Sequence, residues 1–514
     1  MSHPAYITIL ILYVLVMLGI GYWSMRRTKD VGDFFLGGRT LGPWMSAFAY
    51  GTTYFSAVLF IGYAGKLGWG FGIHTMWIVV GNTLIGTLLA WKLLAPRTRE
   101  MTVRLNAITL PEFLRARYGS KAMQVIAALV VFIFLVPYSA SVYMGLSYLF
   151  EKTLNIPFGS ALIFLAVLTG VYLVMGGYFA VAISDFIRGI VEFAGVLFMV
   201  FLLAHWKGGF GATTTALLGD ATNMAPGLTK AVALGPAGMQ LVVPGVVTLV
   251  SLVLITSFGP WSLPQMVQKF YSIRSKLDVK RAMIIASIFA VFMSFGAYYS
   301  GALTHLYYAD GLPQGVFEAG KPNLDLLMPY FITQALPQWL VLIILLLVFS
   351  ASMSSLSSLV LVSSSAISVD IFGAFVNRHA NQKQAMGLMR LLCAVFVGLS
   401  LWIAMNKVDV IVNLMVIAWS TLAGVFLAPY LYGLFWKRTT KAGAFAGIFV
   451  GLATAAVLFI LWGKEGVPLA GAITMFLPLI VVPVVSLLTP APPQALVERA
   501  FTETPEPVKE EVSA

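Results

Sequence analysis

Long apolar runs separated by short polar intervals fill the chain from Ala5 to Leu488. A run of about 20 apolar residues crosses a hydrocarbon core as one helix, and the pattern predicts about thirteen such spans. They fall near residues 5–25, 45–68, 74–95, 122–150, 158–177, 179–205, 239–272, 281–308, 337–369, 386–406, 409–435, 441–463 and 467–488. Only Gly176-Gly177 separates the fifth span from the sixth, and a tight turn is expected there. The chain divides accordingly into an extra helix with a basic loop (1–44), a five-helix unit (45–205), a polar outer loop (206–238), a second five-helix unit (239–435), two further helices (436–488) and a tail (489–514). The tail is rich in Pro and Glu and reads as disordered.

Three spans contain polar stretches that lipid does not reward. The ninth holds Phe349-Ser350-Ala351-Ser352-Met353-Ser354-Ser355-Leu356-Ser357-Ser358. On a helix, Ser354, Ser357 and Ser358 stand at i, i+3 and i+4 and share one face, with Ser355 beside them. Uncharged hard oxygens suit a weakly held alkali cation; a face of small residues also serves close helix packing. The seventh span contains Gly259-Pro260 and then Pro264, which remove backbone donors and open the helix. The second has no proline but carries Tyr50, Gly51, Thr52, Thr53, Tyr54 and Ser56. These two stretches occupy the first helix of each five-helix unit. Discontinuous helices in corresponding halves point to a midplane binding site in an inverted-repeat transporter. The correspondence is one of position, because no residue-level repeat links the halves.

Acids within spans are few, and Asp185 stands out. A carboxylate at that depth faces a partner or a cavity. Arg188 at i+3, with Glu192 four residues further, offers local pairing; ion handling is the equal alternative. Lys66 can snorkel to the outer interface or attract an anionic solute. Tyr138 follows Pro137 among Ser139 and Ser141 and is a candidate ligand, whereas Trp69 and Trp261 have the character of packing or belt residues.

Composition agrees with the pattern: 59% of the 514 residues are hydrophobic and 10% charged, which excludes a soluble domain pair. The net charge of +12 is a matter of topology rather than of nucleic acid. Arg26, Arg27, Lys29 and Arg39, the cations from Arg97 to Lys121, those from Arg274 to Arg281, and Lys437, Arg438 and Lys441 all fall on one side. That side is cytoplasmic, so the N-terminus lies outside and the C-terminus inside. The single cysteine, Cys393, and five scattered histidines offer neither a disulfide framework nor a metal-ligand spacing.

Five motifs stand in order along the chain. They are Phe34-Phe35-Leu36-Gly37-Gly38-Arg39-Thr40-Leu41-Gly42-Pro43, Ile108-Thr109-Leu110-Pro111-Glu112-Phe113-Leu114, Gly176-Gly177-Tyr178-Phe179-Ala180-Val181 with Ser184-Asp185, Ser352 to Ser358, and Gly433-Leu434-Phe435-Trp436-Lys437-Arg438 with Gly443-Ala444. Together they resemble the sodium:solute symporter family over most of the chain. The resemblance implies an all-α membrane protein with a LeuT-type 5+5 inverted repeat, one extra N-terminal and two extra C-terminal helices. It implies sodium as coupling ion, held between the first and eighth core helices. Carried onto this chain, the ligands are the hydroxyls of Ser354 and Ser355 and the carbonyls of Thr52, Phe55 and Ala351. Some members have a second sodium position made from a serine cluster and an acid, a pattern that Ser354, Ser357, Ser358 and Asp185 match.

The same resemblance bears on the solute. Members that carry proline have an acid where this chain has Tyr54, a tryptophan at Val58, and aromatics at Thr256 and Pro260; Tyr138 is kept. Solute contacts are therefore expected by position, at Tyr54, Ser56, Tyr138, Thr256 and Trp261, with an amino acid or carboxylate favoured. The expected function is sodium-driven import of a small organic solute across the inner membrane by alternating access. The expected partners are that solute, sodium and the lipid bilayer, with no nucleic acid and no obligatory protein. A proton-coupled carrier of the same fold would rest on Asp185. An embedded enzyme would need a nucleophile, acid–base or metal constellation, and a sensor would need a signalling domain longer than this tail.

Overall fold

The computed structural model describes residues 3–25, 39–219, 228, 230–235, 241–376 and 382–502. Residues 34–38 of the first motif, the cations at 26–29, Arg378 and the chain beyond 502 lie outside the described residues. Helix α1 (His3–Met25) is the extra N-terminal helix. The second expected span is two helices, α2 (Pro43–Tyr54) and α3 (58–71), parted at Phe55, whose backbone is extended at φ −105° and ψ 94°. Gly72, at φ 55°, then turns the chain into α4 (76–104), a conformation that glycine adopts without strain.

Helix α5 (Leu110–Tyr118) comes from the Ile108–Leu114 motif by local chemistry. Thr109 Oγ1 accepts from the Glu112 N–H at 3.1 Å, and Glu112 Oε2 accepts from the Ile108 N–H at 2.9 Å. Orphan donors of the first turn are thereby satisfied, and Gly119 ends the helix at φ 64°. Helices α6 (Lys121–Leu154) and α7 (Phe158–His205) follow. The expected turn at Gly176-Gly177 lies inside α7, whose backbone is helical throughout; glycine lowers helix propensity without forbidding it.

The stretch expected as a polar loop over 206–238 carries regular structure. It contains α8 (Gly209–Gly219) and β1 (Val232–Leu234), which forms a hairpin with β2 (Leu241–Val243), with Val232 paired to Val243. Buried Thr213 and Leu217 give α8 an inward face. The seventh span starts late because Pro244 precedes its first turn. It consists of α9 (Gly245–Phe258), a 3₁₀ turn at Gly259–Trp261 and α10 (Pro264–Ser272), bent by 41°. The remaining helices are α11 (Lys276–Tyr307), α12 (Leu327–Ala335), α13 (Gln338–Ile367), α14 (Gln382–Met405), α15 (Ile411–Phe435), α16 (Lys441–Trp462), α17 (Val467–Leu488) and α18 (Gln494–Phe501).

Helix α18 corrects the reading of 489–514 as disordered, at least as far as residue 502. Leu496 packs on Gly119, Ala500 is fully buried, and the Phe501 ring lies 5.1 Å from the Arg117 guanidinium. An apolar face of one short helix, invisible in a Pro/Glu-rich average, docks the tail on α5. Among the described residues, nine helices are long and apolar enough to cross a bilayer, ten with the bent pair, and two shorter apolar helices span Tyr6–Ile20 and Phe158–Val171. The thirteen expected spans are thus not matched one for one.

Helix α13 occupies the centre, packed on α6, α7 and α2. Every residue from Phe349 to Ser358 is buried. Helices α3 and α11 meet backbone to backbone: a Cβ at Gly301 would lie 2.0 Å from the Ala64 carbonyl oxygen. Helices α16 and α17 lie at the rim, and Ile460 and Leu488 are each 81% exposed. In a helix of this hydropathy an apolar exterior is a lipid face.

Candidate functional site at two helix breaks

The chemistry of the centre follows from what the two breaks do to backbone carbonyls. In α2 the last helical bond is Phe55 N–H to Gly51 O, at 2.9 Å. The carbonyls of Thr52 and Thr53 thus lie at an open helix end and need other donors. Ser355 Oγ, on α13, reaches both, at 3.3 and 3.2 Å, and Ser354 Oγ donates to Thr52 Oγ1 at 2.8 Å. Two adjacent serines on one helix therefore face an unwound carbonyl edge on another. All four residues are at most 1% exposed.

The second break acts in the same way. Thr256 O would accept from residue 260 in an unbroken helix, but Pro260 has no N–H. Tyr54 Oη donates to that carbonyl instead, at 2.6 Å. One hydroxyl thereby ties the end of α2 to the end of α9. Between the breaks is a cavity of about 20 Å³, lined by Tyr54, Ser56, Thr256, Tyr63, Asn82, Tyr298, Met415 and Trp419 among others. Tyr63 Oη, Asn82 Oδ1 and Trp419 Nε1 are buried there without hydrogen-bond partners among the described residues.

The expected residues are distributed as follows. Thr52, Ser354 and Ser355 meet at the carbonyl edge; Phe55 supplies the extended residue of the break, and Ala351 lies one turn before Ser355 on α13. Tyr54, Ser56 and Thr256 line the cavity, and Tyr138 faces Ser56, Ser355 and the edge of Trp419, its ring 5.7 Å away. Trp261 is not among the lining residues: its indole donates to Ile85 O at 2.9 Å and its ring packs on Phe258. Ser357 turns its Oγ to the Met353 carbonyl of its own helix, at 2.6 Å. Asp185 is paired with Arg188 at 3.7 Å, as its spacing allowed, and also with Lys269 at 3.9 Å.

Several residues of the site escaped sequence reasoning. Asn82 is a lone amide in an apolar run, a signal that was available, and Trp419 precedes Ser420 and Thr421 in another. Lys269, Tyr63 and Tyr298 had no distinguishing local pattern. Around α5, Thr109 Oγ1 and Gln124 Nε2 both donate to Asp370 Oδ1, at 2.7 and 2.9 Å, and Arg39 donates to the carbonyls of Ala107 and Tyr271. These contacts join the family-like loops to α10 and to the helical turns Ser368–Val376 that continue α13. Burial raises the Glu112 carboxyl above the usual range, against the Ile108 and Thr109 N–H groups.

Residues 34–451 match the sodium:solute symporter family. The chain is 30% identical over 500 residues to the high-affinity proline transporter PutP of Bacillus subtilis strain 168, covering 94% of this chain and 98% of that one. It is 29% identical over 472 residues to the sodium/proline symporter of Escherichia coli K12, covering 90% and 89%. Among solved structures, a sodium-coupled sialic acid symporter in a substrate-bound, outward-open state superposes with TM-score 0.76 at 20% identity, over 95% of this chain and 99% of that one. A nucleobase-cation-symport-1 family transporter in a closed conformation gives 0.51 at 13% identity, over 92% and 99%. The fold is therefore the LeuT-type fold of membrane transporters. By the extent of the family match and the identity to these relatives, the chain is a member of the sodium:solute symporter family.

Proposed function

We propose that this protein imports a small organic solute, of the amino acid or carboxylate class, driven by sodium entering at the junction of α2 and α13. The observation that carries the reading is the Ser355 hydroxyl poised over the freed carbonyls of Thr52 and Thr53. With Ser354 Oγ, and with the Phe55 and Ala351 carbonyls that the family resemblance implies, the edge offers six uncharged hard oxygens, the donor set an alkali cation prefers. Tyr54, Ser56, Tyr138 and Thr256 stand beside it and bound the solute cavity. Tyr63 Oη and Trp419 Nε1 are donors in search of an acceptor and Asn82 Oδ1 an acceptor, which suits a carboxylate solute carrying one further donor. The relatives named as proline transporters favour the same class.

Ser355 and Thr52 link ion and solute physically. A cation between α2 and α13 fixes the end of α2, and Tyr54 at that end bounds the cavity, so each ligand favours the other reciprocally. The cavity of about 20 Å³ is far below the size of an organic solute, so α3 and α9 must part to admit one. Inward movement of each charge gains about 2.3 kcal/mol per 100 mV. Proton coupling through Asp185 is the weaker reading, because that carboxylate is already held by two cations. The cation asymmetry supports an N-terminus outside and a C-terminus in the cytoplasm.

The test is uptake into proteoliposomes of labelled amino acids, monocarboxylates, sugars and vitamins, with and without an inward sodium gradient. One class should accumulate only with the gradient. Uptake that follows an imposed proton gradient and ignores sodium would overturn the reading.

A further inference from the structure

The place where a second sodium would be sought is already filled by the chain itself. Lys269, on α10 and fully buried, sets its ammonium 3.9 Å from Asp185 on α7 and donates to Ser358 Oγ on α13 at 3.2 Å. Ser358 in turn lies 3.2 Å from Thr53 Oγ1 on α2. The acid and the serine that the sequence offered as cation ligands are thus ligands of a lysine. Of the other two serines of that pattern, Ser357 is bound to its own helix backbone and Ser354 to Thr52 Oγ1.

Charge points the same way. Asp185 and Glu192 are both fully buried carboxylates, and Arg188, 1% exposed, lies between them on α7. With Lys269 the group comprises two acids and two bases, whose formal charges cancel. A sodium ion added to it would leave one buried positive charge uncompensated, which burial strongly disfavours. An ammonium is a compact point charge with three donors, and it replaces a small cation without an exchange of ions with water.

Resting on the sodium-symport reading above, we infer that Lys269 is a tethered cation in the second cation position, so that this transporter binds one sodium ion rather than two. The mobile ion is then the one at Ser354 and Ser355, and α10 is held to α7 and α13 by a charge that never leaves.

Equilibrium binding of radiolabelled sodium to the purified protein tests this without knowledge of the solute. The wild type should bind one ion per chain, and Ser355→Ala should lose it. Lys269→Gln leaves the acids in excess and should bind two. Asp185→Asn combined with Lys269→Gln restores neutrality and should return to one, with folding of each variant checked by gel filtration. Two ions on the wild type, or a single ion on a folded Lys269→Gln, would overturn the inference. The wild-type count decides even if the variants fail to fold. No saturable sodium binding to the wild type would instead sink the symporter reading itself.

Discussion

Because Pro260 brings no N–H, the Thr256 carbonyl takes its hydrogen bond from Tyr54, and the two broken helices are joined through one hydroxyl. Gly86 makes room for this: a Cβ there would lie 2.5 Å from Tyr54 Oη. Tyr54→Phe should leave a buried carbonyl unsatisfied, at about 1–3 kcal/mol. The expected outcome is a lower melting temperature in detergent and weaker solute binding, with the sodium count unchanged; an unaltered melting curve would contradict it. At this scale the sequence disclosed the serines, the Gly-Pro break and Asp185, because each is a chemical anomaly within an apolar run. It did not disclose Lys269, whose partners come from α7 and α13, far away in the chain. Tyr63 and Trp419 were hidden for a related reason: aromatics are common in spans, and only the fold places these beside a break.

Between elements, close approach and capping dominate. Helices α3 and α11 touch at Gly68 and Gly301, where a Cβ would lie 2.3 and 2.0 Å from backbone atoms of the other helix. Gly301→Leu should force these helices apart and abolish recovery of folded protein, read by gel filtration; a monodisperse, stable variant would refute the contact. The start of α15 is held from outside by Asp325, which accepts from the Ile411 N–H at 3.0 Å. Burial pushes the Asp325 carboxyl up to about 6, against the Ile411 N–H and Lys66, which pull it down. A carboxyl so raised contributes stability in full below its unfolded pKa, and loses that contribution as pH rises through the folded value. Asp325→Asn removes the titration, so the wild type should lose melting temperature relative to the variant between about pH 4 and pH 6. Parallel curves would exclude the effect. Most span positions were legible from hydropathy, the break after α9 from proline chemistry, and the break after α2 only as a polar stretch. The turn into α4 at Gly72, the inward face of α8 and the docking of α18 were not, since each depends on tertiary contacts that a composition average hides.

For the molecule as a whole, the apolar rim of α16 and α17, the buried polar centre and the cation asymmetry describe a multi-pass membrane protein whose candidate site lies where α2 and α13 meet. Family membership, resting on a match over residues 34–451, supports the proposal that ion and solute meet at that junction. The account stands or falls on Ser355. Its most direct test is the sodium dependence of intrinsic tryptophan fluorescence, with Trp419 beside the site as reporter, for wild type and Ser355→Ala. The wild type should show a saturable sodium response, absent with choline, and the variant should need about tenfold more sodium or lose the response, as expected for removal of one direct ligand. A variant that answers sodium as the wild type does would contradict the assignment of the ion to this edge.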